Sequence, residues 1–312
     1  MTKLKGILLT QGMHGMISQV EGLAKALDLD FTHHTVETNR FWKLFPPKLT
    51  PISQSVFKKI NSEDFDVIIS CGRKSVIPSI YLKKNSSKKV TNIHIQDPKV
   101  NLDNFSYVIT PEHDGLNGEN VFSTKGAIHY LTKEEISNHT NYLKDRLYTG
   151  KEYFLLILGG PTKHYDYSDE NVSNIFNLFN DLVKKNNLQG IVIPSMRTPK
   201  NIIDLAKNKL GEKSLVIDTV DKKAYLSALS IAKYIAVTCD STSMISEAAL
   251  TGKPIYVADI PTQKNDQRIK KFKELFHQLN IIKKLENKLE TWDYEILDET
   301  SRVAKEIKKR LT

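Results

Sequence analysis

Short apolar runs alternate with longer amphipathic stretches along the whole chain. In the first half "KGILLT", "FTHHTVE", "FDVIIS", "TNIHIQ", "SYVIT" and "NVFST" read as strands, with helices such as "MISQVEGLAKAL" and "SVIPSIYLKK" between them. Continuous apolar runs bounded by turn residues suit strands covered on both faces, as in a parallel sheet. The stretch "LTKEEISNHTNYLKDRLYTGKE" is polar and helix-prone and carries no strand pattern. After it the alternation restarts with "YFLLILGG", "GIVIPS", "SLVID", "YIAVTC" and "PIYVAD". Two βα series with a polar joint predict an α/β protein of two Rossmann-like domains facing across a cleft. The expected domains are 1–148 and 149–312. A final helix in "DETSRVAKEIKKRLT" can pack back across the joint onto the first domain.

Open α/β sheets bind ligands at the carboxyl ends of their strands, so the strand-end residues carry the candidate chemistry. In "TQGMHGMISQ", Gly12 and Gly15 flank His14 ahead of a helix bearing Gln19. The spacing is not G-x-G-x-x-G, so a dinucleotide fingerprint is absent. Two glycines let the backbone approach a ligand at a helix N-terminus, or simply make a tight turn. His14 is a candidate general base, although a lone loop histidine is more often just solvated. Arg73, after "IISCG", can fork to phosphate or carboxylate, or pair with a neighbouring acid. Gln96 and Asp97 in "HIQDP", and Glu112, His113 and Asp114 in "PEHD", end the next two strands. Such a cluster suits hydroxyl recognition and acid–base work, with His113 a second candidate base. His113 and Asp114 are adjacent and no H-x-H or H-x-x-H exists, so no metal site is expected. The triplets Asp28–Asp30 and Asp64–Asp66 precede strands, where aspartates end helices or open turns.

In the second half, Gly159 and Gly160 follow an apolar strand, where backbone amides can cradle a phosphate. "IPSMRTP" ends the next strand with Ser195, Arg197 and Thr198. "TCDSTSMISEAALTGKP" then places Asp240, Ser241, Thr242 and Ser243 side by side, more polar groups than one helix cap requires. Hydroxyls and amides at a helix mouth suit a diphosphate. Glu247, one turn in, can accept from a ribose diol, and Gly252 and Pro254 stop the helix.

The net charge of +9 and pI near 9.2 favour anionic partners. Without zinc-finger spacing, an aromatic-studded basic strand or a basic recognition helix, nucleic acid is not the expected one. Cys71 and Cys239 are too few and too separated for a disulfide framework, which points to a reducing cytoplasm. No apolar run approaches the ~18 residues of a membrane span. The expected location is cytoplasmic, with at most peripheral contact on the inner face of a membrane. "FWKLFPPKL" sets Phe41, Trp42, Leu44 and Phe45 among lysines in a proline-broken loop and is the better candidate for that contact. "QRIKKFKELFHQL", with Ile269, Phe272, Phe276 and Leu279 along one face, is more simply a surface helix packed on the core.

Together "QGMHGMISQVEGLAKAL", "ISCGRKS", "IQDP", "PEHD", "LGG", "SMRTP" and "TCDSTSMISEAALTGKP" resemble the mitochondrial-fission ELM family. Its bacterial members look like nucleotide-sugar enzymes of the GT-B fold. Two positions depart from the family pattern: Gln11-Gly12 stands where Asp-Gly is usual, and Met196 precedes Arg197 where two arginines are usual. The resemblance implies a metal-independent glycosyltransferase with a nucleoside-diphosphate sugar as co-substrate and no other cofactor. The donor side would hold Gly159, Gly160, Arg197, Asp240, Ser241, Thr242, Ser243 and Glu247. The acceptor side would hold Gly12, Gly15, Gln19, Arg73, Gln96, Asp97 and Glu112, with His14 or His113 as base and the acceptor unidentified. The alternatives are a non-catalytic adaptor in membrane remodelling and a nucleotide-sugar epimerase using Asp97, Glu112 and Asp114.

Overall fold

The structure, a computed structural model, describes residues 3–60 and 64–311. The chain divides into two compact units. Unit 1 runs to Tyr130 and takes in the chain again from Asp298, and unit 2 is Leu131–Leu297.

Unit 1 contains β1 (Lys5–Thr10), α1 (His14–Ala26), β2 (Asp30–Thr35), β3 (Val67–Cys71), α2 (Val76–Lys84), β4 (Thr91–Ile95), β5 (Tyr107–Pro111) and β6 (Val121–Thr124). Its sheet is parallel, in the order β2-β1-β3-β4-β5-β6. The near-continuous apolar strands β1 and β3 bury both faces, so the sheet has a core on each side. One core contains Val20, Leu23 and Ala24 of α1.

Unit 2 contains α3 (Lys133–Ser137), β7 (Tyr153–Leu158), α4 (Asp169–Lys185), β8 (Gln189–Pro194), α5 (Lys200–Leu210), β9 (Ser214–Val216), α6 (Lys222–Ile231), β10 (Ala232–Thr238), α7 (Thr242–Ala249), β11 (Ile255–Ala258), α8 (Gln267–Gln278) and β12 (Ile282–Lys284). Its parallel sheet has the order β12-β11-β10-β7-β8-β9. The final helix of the chain, α9 (Glu299–Leu311), belongs to unit 1, where Val303, Ala304 and Ile307 join the core beneath α1. Its first turn is pinned by polar contacts. Glu299 accepts from the Lys125 amide at 2.8 Å, and Thr300 Oγ1 both accepts from the His129 amide and donates to its carbonyl.

The division at 130/131 replaces the expected boundary at 148. The connector is a short helix and turns rather than one long helix, and it packs into unit 2. Leu143 is fully buried and its amide donates to Ser227 Oγ of α6, whose hydroxyl donates to the Thr140 carbonyl. The edge strand β12 has only three residues, in a lysine-rich run without alternation, and had no periodic signature. In α8 Ile269, Phe272 and Phe276 are buried, so its apolar face belongs to the core of unit 2.

Candidate nucleotide-sugar site

In unit 2 the chain passes from β7 outward to β8 and β9, then returns to lay β10 on the other side of β7. The order reverses between β7 and β10, where connections leave in opposite directions and open a crevice at the strand ends. Gly159 and Gly160 follow β7, Asp240 follows β10, and Arg197 follows the adjacent β8. All four therefore meet at the switch point.

Asp240 is the hub. Its side chain is fully buried and accepts from the Tyr167 hydroxyl at Oδ1, and from the Gly160 amide (3.2 Å) and Arg197 Nη2 (2.6 Å) at Oδ2. A second nitrogen of Arg197 donates to the Gly160 carbonyl at 2.8 Å. Desolvation, reinforced by the Asp240 carboxylate, pushes the Tyr167 phenol far above its ordinary range, so it stays protonated as a donor. The Gly159 amide donates to Thr238 Oγ1 at 2.8 Å, and the Thr198 hydroxyl lies 2.6 Å from the Gly159 carbonyl.

This network corrects the expected role of the glycine turn. Both amides already have acceptors within the protein, so the turn is not an amide cradle for phosphate. It is glycine because nothing larger fits. A Cβ on Gly159 would lie 2.1 Å from Asp240 Oδ2, and one on Gly160 would lie 2.0 Å from the Arg197 carbonyl oxygen.

The donors left open are at the mouth of α7. Ser241 caps this helix, its hydroxyl accepting from the Met244 amide at 3.4 Å. The amides of Thr242 and Ser243 have no acceptor among the described residues, and both side chains are part-exposed. Helix N-terminal amides carry partial positive charge, and three of the five guanidinium N–H groups of Arg197 have no acceptor among the described residues. One turn deeper, Glu247 accepts from the Tyr225 hydroxyl at 2.7 Å. Desolvation raises its carboxyl to about 7, partly offset by that hydrogen bond. Lys253, of the Gly-Lys-Pro stretch, points elsewhere. Its ammonium donates to the Leu229 and Ser230 carbonyls at the end of α6, and burial lowers it to about 8.

Unit 1 has its own switch point, between β1 and β3. Gly12 and His14 follow β1, Arg73 follows β3, Gln96 and Asp97 follow β4, and Glu112 and His113 follow β5. Gly12 donates its amide to Thr10 Oγ1 at 3.0 Å, and a Cβ on Gly15 would meet open space. His14 is exposed at the start of α1, edge-on to Tyr130 with ring centroids 6.3 Å apart. His113 is inward, its side chain 3% exposed and its Nε2 3.8 Å from Asp114. Gln19 is buried and accepts from the Cys71 thiol. Two residues are otherwise engaged. Arg73 donates to the Lys43 and Phe45 carbonyls, and Asp97 accepts from both the amide and the ammonium of Lys99. Glu112 is exposed and Gln96 is part-exposed.

Sequence reading missed Tyr167, Thr238 and Tyr225. Tyr167 lies in an irregular segment and Tyr225 on a helix two elements away from Glu247, so no spacing ties either to the motif it serves. Both aspartate triplets are held by lysine: Asp28 by Lys3, and Asp64 and Asp66 together by Lys88. Among the described residues no group of three potential ligands is placed to hold a metal ion, and no helix is long and apolar enough to cross a membrane.

The family model described as mitochondrial fission ELM1 matches residues 14–311. An uncharacterized protein of Rickettsia prowazekii is 25% identical, with 94% of this chain and 95% of that protein aligned. The mitochondrial fission protein ELM1 of Arabidopsis thaliana is 24% identical over 78% of this chain, which spans 64% of the plant protein. Among solved structures, the UDP-GlcNAc 2-epimerase of Neisseria meningitidis bound to UDP-GlcNAc superposes with a TM-score of 0.54 at 13% identity, covering 99% of both chains. The glycosyltransferase SnogD of Streptomyces nogalater superposes with a TM-score of 0.51 at 12% identity, covering 99% of this chain and 95% of its own. The two parallel six-stranded sheets with their helices are thus Rossmann-like domains of the GT-B type, a fold used by nucleotide-sugar enzymes.

Proposed function

The chain belongs to the mitochondrial fission ELM1 family, and we propose that it is a GT-B glycosyltransferase using a nucleoside-diphosphate sugar. The mouth of α7 carries this reading. Two uncommitted amides, a ring of hydroxyls, the open edge of Arg197 and a carboxyl one turn deeper match the diphosphate and ribose of such a donor. In the reaction an acceptor hydroxyl oxygen bonds to the anomeric carbon while the bond from that carbon to the diphosphate breaks. The electron pair leaves with the diphosphate, whose growing charge the amides and Arg197 stabilise. The hydroxyl proton needs a general base, and His14, exposed at the start of α1, is a better candidate than His113, whose side chain is turned inward. Strand-end residues of unit 1 are the candidates for binding an acceptor.

An epimerase of the same fold would need free acid–base carboxyls. Of the three candidate carboxyls, Asp97 is engaged by Lys99 and Asp114 by Thr110 and His113, which leaves the exposed Glu112 alone rather than an acid–base pair. A non-catalytic adaptor would need no nucleotide at all. Calorimetric titration with UDP-GlcNAc separates a nucleotide-sugar enzyme from an adaptor, and its diphosphate diester does not titrate near neutrality, so any pH dependence of binding belongs to the protein.

Glu247 must be ionised to accept both ribose hydroxyls, so affinity should rise between pH 6 and pH 8, across its value of about 7. Glu247→Gln should bind about tenfold more weakly at the upper pH and lose that dependence. The same group gives a stability signature. Its folded pKa lies above the ordinary 4.5, so the native state holds the proton more tightly. Stability of the unliganded protein should therefore fall as pH rises from 4.5 to 7, and Glu247→Gln should flatten that slope. Absence of binding at every pH would favour the adaptor, and a pH-independent affinity would remove Glu247 from the ribose.

A further inference from the structure

Of the eleven large apolar side chains that stand most exposed among the described residues, four lie within one short stretch of unit 1: Phe41 (62%), Leu44 (83%), Leu49 (65%) and Ile52 (39%). Scattered exposed apolar residues are ordinary, whereas a cluster marks a contact surface. This stretch is held in shape. Arg73 donates to the carbonyls of Lys43 and Phe45 at 2.9 Å each, Thr50 Oγ1 donates to the Pro46 carbonyl, and Asn39 donates to the Ser55 carbonyl. Trp42, Phe45 and Pro47 turn inward around a small cavity shared with Val56 and Ile77. Phe41, Trp42 and Phe45 pack ring on ring, with centroids 4.9 to 5.7 Å apart. Phe41 and Leu44 thus project from a preformed turn whose partners are already satisfied.

Charge identifies what covers them. Between Thr38 and Ile60 the chain has Arg40, Lys43, Lys48, Lys58 and Lys59 and no acidic residue. Lys58 is paired with Glu37, but Arg40, Lys43, Lys48 and Lys59 have no carboxylate partner among the described residues. Apolar side chains that protrude by more than half their surface, ringed by unpaired cations, fit a fluid anionic interface better than a structured groove. The apolar tips enter among acyl chains while the cations face headgroup phosphates. We propose that residues 40–59 of unit 1 are a docking surface for an anionic lipid bilayer. This surface does not depend on the transferase reading, and through Arg73 it is tied to the end of β3.

The full-length protein should cosediment with vesicles of phosphatidylcholine containing a minority of phosphatidylglycerol, and much less with phosphatidylcholine alone. Phe41→Ser with Leu44→Ser should lower the partition coefficient about tenfold, since two exposed apolar side chains leave the interface. Lys43→Glu with Lys48→Glu should lower it by at least about tenfold and remove its salt sensitivity. All four side chains are exposed, and unchanged melting curves would confirm that folding is intact. Wild-type protein that ignores anionic vesicles, or a serine variant that binds them equally well, would overturn the proposal. So would a concentration-dependent dimer abolished by the same serine variant, which would assign the surface to a second copy of the chain.

Discussion

Arg197→Ala is expected to destabilise unit 2 by about 2–4 kcal/mol, and Asp240→Asn in the same chain to restore most of that loss. Asp240 is fully buried and Arg197 is its counter-charge. Deleting one member of a buried pair strands the other, which typically costs about 3–5 kcal/mol. The expected figure is lower because Arg197 is itself 39% exposed and screened by water on that side. Asparagine can take over the site. Its oxygen can accept from the Gly160 amide, while its NH2 donates to the Tyr167 oxygen. The Tyr167 proton then turns to Thr238 Oγ1, already 2.8 Å away. The double variant isolates the ligand role of the arginine. If its open edge meets the diphosphate, the double variant should bind UDP about 10- to 100-fold more weakly and uridine nearly as well as wild type. Thermal melts and calorimetry on the three variants check both halves. A single variant as stable as wild type would contradict the hub assignment.

Gly160→Ala is the second large effect. Its Cβ would sit 2.0 Å from a backbone oxygen, that of Arg197, which cannot swing aside like a side chain. The segment between β8 and α5 must move as a whole and take the guanidinium with it. Overpacking of this severity costs about 3 kcal/mol, or roughly 6–12 °C in melting temperature for a domain of this size. Gly159→Ala displaces the Asp240 carboxylate instead and should cost a similar amount. Full stability of Gly160→Ala would mean the turn is looser than the structure shows.

These two glycines also show where sequence reading stopped short. Their position after β7 was legible from the apolar run, and the strand-end rule placed them at a site. Their role was not, because the groups that exclude a side chain lie about forty and eighty residues further along. Likewise the hydroxyl run at 241–243 announced a helix mouth from local sequence alone. Nothing local revealed that Asp240, in the same run, faces inward to hold Arg197. The strands were readable because burial on both faces forces long apolar runs. The unit boundary was less so, because a polar connector gives no sign of which core it covers until Leu143 is seen packed in unit 2. Arg73 carried a plausible anion-binding spacing, yet one of its terminal nitrogens is spent on two backbone carbonyls of the 41–45 turn, a role no local spacing shows.

On this reading a nucleoside diphosphate is held at the mouth of α7. The most direct measurement is a titration of isotope-labelled protein with UDP, followed through the backbone amide resonances in the presence of a chelator. The Thr242 and Ser243 amides should shift most and saturably, with Arg197 and Gly160 following. The Gly12 and Gly15 amides of unit 1 should stay in place. Saturable shifts centred elsewhere, or none until a divalent cation is supplied, would contradict it.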